Sequence, residues 1–191
     1  MVSESVKARD NPFRTERVDA LAYRAEGFDW EALEARLHDL SGRGAIVGPE
    51  GFGKSTLLRD WVERIHAAGQ PACLVRLEFG QRWLHETQRR MVSASDRIFL
   101  DSAEQLGWLG WREVRRLTLR AASLVITTHG PGRLPTLHEC RSSPALLAAL
   151  VEDLGESPAG VEALWRRHHG NIRLALRSLY DERARRKGGS T

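Results

Sequence analysis

The segment Gly48-Pro49-Glu50-Gly51-Phe52-Gly53-Lys54-Ser55 constrains this chain more than any other. It matches G-x-x-x-x-G-K-[ST] in full. It directly follows the apolar run Gly44-Ala45-Ile46-Val47 and opens a stretch in which Leu57, Leu58, Trp61, Val62 and Ile65 recur at helical spacing. At ordinary residue usage a chain of this length meets the pattern by chance on the order of once in a hundred times. A strand before it and a helix after it make coincidence rarer still. Glycines let the backbone curl so that amide N–H groups point inward, and the helix N-terminus adds partial positive charge. Lys54 then reaches the outer phosphates while the Ser55 hydroxyl ligates magnesium. Nucleotide contacts are therefore expected from Gly48 through Ser55 and on to Thr56. The alternative reading is a loop of this shape kept only for structure.

The rest of the chain has the pattern such a unit needs. Asp29 is placed to cap a helix over 29–40 that carries Leu33, Leu37 and Leu40 on one face. Strands are expected at 44–47, 72–77, 98–101 and 124–128, with a short fifth over Pro135-Thr136-Leu137-His138. Helices are expected over 54–67, over 82–91, and from the third strand to about 120. Strand-length apolar runs alternating with helical patterns indicate βαβ units around a parallel sheet. Further on the character changes, because Ser143-Pro144 and Ser157-Pro158 each announce a helix, serine as cap and proline in the first turn. Gly170 stops the second of these helices and Asn171 opens a third, to about 186. The expected division is a partly disordered lead-in over 1–28, a nucleotide-binding core over 29–141, a helical subdomain over 142–187 and a disordered tail over 188–191.

A phosphate loop needs a second magnesium partner, usually an aspartate at the tip of a neighbouring buried strand. Asp101 stands there, at the end of Ile98-Phe99-Leu100, although an aspartate capping the next helix reads the same way. With these segments the chain resembles the P-loop ATPases of the additional-strand class, and within them the AAA+ and related signalling ATPases, over roughly 40–180. The resemblance implies a three-layer α/β fold with a parallel sheet of strand order 5-1-4-3-2 and a helical lid. It also implies ATP and Mg2+ as cofactors, the cation being held by Ser55 and Asp101. In those families a glutamate often follows the aspartate directly and polarises the attacking water. Here Ser102 occupies that position and Glu104 stands two places further, so hydrolysis is expected to be slow unless Glu104 swings into range.

The resembling families place a polar sensor of the γ-phosphate at the end of the next strand, here Thr127-Thr128-His129. Either hydroxyl serves, threonine is also an ordinary strand residue, and Thr128 is the expected sensor because it lies nearer the end. Gly170-Asn171-Ile172-Arg173-Leu174-Ala175-Leu176 resembles the sensor-2 segment of the AAA+ lid, especially in replication initiators and clamp loaders, which would bring Arg173 to the γ-phosphate. The other reading is an arginine on a solvated helix face. Asn11-Pro12-Phe13 resembles the segment that leads into the adenine pocket. Trp108 and Trp111, three positions apart, either pack against the sheet or mark a partner site. Arg112, Arg115, Arg116 and Arg120 follow, and Arg116 or Arg120 is a candidate finger completing a neighbour's site in a homo-oligomer.

Composition bounds the remaining possibilities. The 191 residues are 41% hydrophobic and 28% charged, and no apolar run nears the roughly 20 residues a membrane helix needs, so a cytoplasmic protein without membrane insertion is expected. Cys73 and Cys140 read as small buried hydrophobes, and His138, His168 and His169 lack metal-ligand spacing. A net charge of +4 permits nucleic-acid contact, but the arginines are scattered among acids, which favours a protein over DNA as macromolecular partner. The expected function is an ATP-binding protein, either a slow Mg-dependent ATPase or a nucleotide-dependent switch acting on such a partner. A small-molecule kinase and a regulatory module that binds ATP without hydrolysing it are the alternatives. An extra strand between the strand before the loop and the strand bearing Asp101 favours the ATPase over the kinase.

Overall fold

A computed structural model describes residues 11–188. The disorder expected of the first residues and of the tail falls largely on 1–10 and 189–191, outside the described residues. The apolar runs form β1 (Arg43–Val47), β2 (Cys73–Arg76), β3 (Arg97–Asp101), β4 (Ser123–Thr128) and β5 (Thr136–Glu139). All pair in parallel in one sheet of order β2-β3-β4-β1-β5, which is the expected 5-1-4-3-2 read from the other edge. β4 therefore lies between β1, which leads into the glycine loop, and β3, which carries Asp101. Strands covered on both faces must be apolar throughout, and Ile98 through Leu100 and Leu124 through Ile126 are each at most 2% exposed.

Side chains alternate along each strand, so the faces sort themselves. One face presents Val75, Leu100 and Ile126 to Leu84, Val92, Leu106 and Val114, which come from α4 (Glu86–Ser93), α5 (Trp108–Leu117) and the segments before them. On the other face α3 (Lys54–Ala67) packs on β2, β3 and β4, and Trp61 meets Phe99 edge-on with ring centroids 5.4 Å apart. The same alternation puts Arg76, Asp101 and Thr127 on the α3 face and Thr128 on the opposite one. α2 (Trp30–Asp39) lies against β5, capped as expected by Asp29, whose carboxylate accepts from the Glu31 and Ala32 amides.

On the face covered by α4 and α5, two helix boundaries differ from expectation for local reasons. α4 starts at Glu86 instead of 82, because the Gln81 side chain braces the preceding loop. It accepts from the Glu78 amide and donates to the Trp83 carbonyl and the Gln88 side chain. The helix after β3 is broken into a 3-10 turn at Ala103–Gln105 and α5, with the Gly107 amide donating to the Arg82 carbonyl between them.

The described residues divide into a sheet unit, 27–49 with 53–140, and a helical unit, 11–26, 50–52 and 141–188. In the helical unit α1 (Thr15–Asp19), α6 (Pro144–Asp153), α7 (Val161–Arg167) and α8 (Ile172–Gly188) surround a separate core. Phe13, Leu147, Val151, Leu164 and Leu176 are buried there, large side chains contributing about 1.5–3 kcal/mol each. Ser143 caps α6 by accepting from the Leu146 amide at 3.1 Å, and Asn171 caps α8 by accepting from the Leu174 amide at 3.0 Å. Ser157-Pro158 does not open α7, contrary to expectation. Gly160, at φ 78°, inserts a left-handed residue, so the helix begins at Val161 and the Ser157 hydroxyl reaches only the Ala159 amide. Asn11 ties the lead-in down by donating to the Tyr180 carbonyl and accepting from the Phe13 amide.

Candidate functional site

Asp101 ends β3 and is 2% exposed, so its charge needs compensation from its neighbours. Its Oδ1 accepts from the Ser55 hydroxyl at 3.0 Å and the Thr127 hydroxyl at 2.7 Å, and its Oδ2 accepts from Arg76 Nε at 3.0 Å. The fold delivers each donor. Ser55 stands in the first turn of α3, and Arg76 is the register partner of Asp101 on β2. Thr127 follows from the pairing of Leu100 with Ile126 one residue earlier. The Thr127 hydroxyl also accepts from the Ser102 amide at 2.7 Å, and Ser102 adopts a φ of 62°, uncommon outside glycine.

The glycine loop connects β1 to α3. Gly48 has a φ of 153°, and a Cβ there would lie 2.8 Å from the Cys140 carbonyl oxygen, so both conformation and space demand glycine. Lys54 is 8% exposed and donates to the carbonyls of Gly48 at 2.7 Å and Pro49 at 2.8 Å, while Thr56 is half-buried in the same helical turn. Glu50, Gly51 and Phe52 belong to the helical unit, where the Asn171 side-chain oxygen lies 2.0 Å from the place a Gly51 Cβ would occupy. The Ser55 hydroxyl and Asp101 carboxylate are hard oxygen donors that suit a small divalent cation, and amides at a helix start suit phosphate.

The other expected residues lie elsewhere. The Thr128 hydroxyl donates to the Gly130 carbonyl at 2.7 Å, so it is Thr127, not the Thr128 expected as sensor, that joins Asp101. Glu104 Oε1 lies 3.4 Å from His129 Nε2. Nearby, burial pushes the Arg133 guanidinium below its usual range, with the Glu104 charge opposing the shift. Arg173 is exposed in the first turn of α8. Trp111 is half-buried beneath Arg133, whereas Trp108 is 72% exposed with Arg112 above its ring. Arg116 and Arg120 are exposed. Among the described residues no group of three His, Cys, Asp or Glu side chains is placed to hold a metal.

The sequence alone gives Arg76 no role and places Thr127 behind Thr128. Parity gives a signal for Thr127, since a strand partner of Asp101 must share its face. Arg76 had only the weak mark of an arginine inside an otherwise apolar run.

No protein-family model matches the chain, and no curated protein does. The solved structure of Cdc6p from Pyrobaculum aerophilum is similar, with a TM-score of 0.56 at 17% identity over 92% of this chain and 67% of that one. At that identity the likeness is one of fold alone, an α/β domain built on a parallel sheet.

Proposed function

We propose that the chain binds ATP with Mg2+ at Gly48–Ser55 and acts as a nucleotide-dependent switch or slow ATPase on a macromolecular partner. The observation that carries this reading is the Ser55 hydroxyl donating to the buried Asp101 carboxylate at the start of α3. Magnesium, when bound, neutralises charge on the phosphate oxygens. The loop amides hold the phosphates, and Lys54 exchanges its two carbonyl partners for phosphate oxygens. Ser55 and Asp101 present oxygens to the cation, and Thr127 keeps the carboxylate oriented.

Slow turnover follows from Ser102. It offers an amide to Thr127 and no carboxylate, and Glu104 stands two residues further on, its Oε1 3.4 Å from His129 Nε2. General-base assistance is typically worth about 10²–10⁴-fold, so its absence supports turnover below about 1 per second. Ser102 equally favours the second reading, a module that binds without hydrolysing. The position of β4 between β1 and β3, together with the likeness to Cdc6p, supports an ATPase-type domain over a small-molecule kinase. Exposed Trp108 and Leu109 support a partner, of which a protein is the preferred kind over DNA. Arg116 or Arg120 as a finger in a homo-oligomer and Arg173 as a γ-phosphate sensor belong to the proposal through the resemblance. So does cytoplasmic action. Among the described residues no helix is long and apolar enough to cross a membrane.

The test is equilibrium binding of ATP and ADP, with and without Mg2+, to the wild type, Lys54→Ala, Asp101→Asn and Arg173→Ala, with circular dichroism as a check of folding. Lys54→Ala should lose binding, Asp101→Asn should lose the Mg2+ dependence, and Arg173→Ala should weaken ATP more than ADP. Wild-type affinity in Lys54→Ala removes the loop assignment.

A further inference from the structure

We infer that Arg76 is a positioning residue that competes with the cation for Asp101 and so sets how much Mg2+ the site needs before nucleotide binds. The inference rests on the nucleotide reading above and deepens it. Arg76 and Asp101 end adjacent parallel strands as register partners on the α3 face, so the backbone itself delivers the guanidinium. Asp101 divides its oxygens. Oδ1 takes the Ser55 and Thr127 hydroxyls, and Oδ2 takes Arg76 Nε at 3.0 Å.

The pair is unequal. The Asp101 side chain is 3% exposed and that of Arg76 is 66% exposed. The carboxylate cannot leave for water, whereas the arginine arm can swing out at little loss. A cation drawn to Ser55 and Asp101 therefore meets a positive charge already on the carboxylate, and it must displace that charge or bind beside it. An ion pair with one largely hydrated partner is worth a factor of about two to five in an equilibrium. Residual repulsion between a single and a double charge some 6 Å apart in water adds up to about tenfold. Removing the guanidinium should make loading easier by roughly three- to tenfold. The backbone of Arg76 is tied independently, its carbonyl accepting from the Gln88 side chain at 3.2 Å, so the strand end does not depend on the arginine head group.

A merely structural Arg76, present to neutralise a buried carboxylate, predicts a different result. Its loss would lower stability and leave the Mg2+ requirement where it was, or raise it. The experiment titrates Mg2+ against a fixed, subsaturating fluorescent ATP analogue on the full chain. Wild type, Arg76→Gln, Arg76→Met and Arg76→Lys are compared, and the Mg2+ midpoint is read separately from affinity at saturating Mg2+. The two neutral variants, of which Arg76→Met keeps the aliphatic stem should Arg76→Gln fold poorly, are expected to lower the midpoint about three- to tenfold. Arg76→Lys should restore it. A midpoint that stays or rises in both neutral variants, with wild type binding normally, overturns the inference alone. A wild type that binds no nucleotide at any Mg2+ concentration overturns the nucleotide reading and this inference with it.

Discussion

Replacing Thr127 by valine keeps the side chain's shape and deletes one hydroxyl, so it isolates what that hydroxyl does. Thr127 is 1% exposed and makes two bonds of 2.7 Å, donating to Asp101 Oδ1 and accepting from the Ser102 amide. Loss of a hydrogen bond to a charged group costs about 1.5–3 kcal/mol, and an amide left unpartnered costs about 1–3 kcal/mol. Both figures belong at their lower halves. Asp101 keeps Ser55 and Arg76, and Ser102 is only half-buried, so water recovers part of its amide. The expected destabilisation is about 2–4 kcal/mol, which for a chain of this size is roughly 5–15 °C in the midpoint of thermal unfolding. Thr128→Val is the matched control. Its hydroxyl reaches only the carbonyl of exposed Gly130, and its loss should cost about 0.5–1.5 kcal/mol. The assay is thermal unfolding followed by circular dichroism, with amide exchange at Ser102 as a local readout. Thr127→Val should accelerate that exchange and Thr128→Val should not. Equal small losses in the two variants, or a larger loss for Thr128→Val, would refute the claim that Thr127 holds Asp101 in place.

Three further outcomes are expected. Burial first, then the Arg36 charge, holds His138 below its ordinary value, with Glu139 opposing. The unfolded chain therefore protonates before the folded one as the pH falls. The His138 contribution is complete above about pH 6.5 and is lost as the pH drops through the depressed value. Unfolding midpoints compared near neutrality and near pH 5 should fall less in His138→Gln than in wild type, and equal falls would contradict this. Gly110→Ala would set a Cβ 2.2 Å from the Arg82 carbonyl oxygen, a backbone atom with little room to yield, and should lower the urea-unfolding midpoint by the equivalent of about 1–3 kcal/mol. Ser143→Ala removes the α6 cap and should cost about 1 kcal/mol, read as faster amide exchange at Leu146.

The strands and their parallel sheet were legible because several independent marks agreed, whereas their order came only with the family resemblance. Doubly covered parallel strands leave long apolar runs, and the glycine loop could stand only after one of them. Asp101 was legible for the same reason, as a carboxylate closing the run Ile98-Phe99-Leu100. The helical unit was half legible. Ser143-Pro144 and Ser157-Pro158 look alike in sequence, yet only the first is a cap, because Gly160 interposes a left-handed residue before α7 and a cap depends on backbone geometry as much as on residue type.

The site's remaining partners were hidden for a different reason. Asp101 gathers its donors from 46, 26 and 25 positions away, and no periodicity along one strand encodes such separations. Ser55 is found because the loop pattern names it. Thr127 and Arg76 become visible only once register is known, since adjacent parallel strands share parity and whatever pairs with the aspartate must face where it faces. Nearness to the strand's end favours Thr128, but it says nothing of which side of the sheet a residue presents. One residue of offset in β4 moves a hydroxyl from the α3 face to the opposite one, so register decides which threonine can reach Asp101. The same rule turns Arg76 from a polar strand end into the one guanidinium on the Asp101 carboxylate among the described residues.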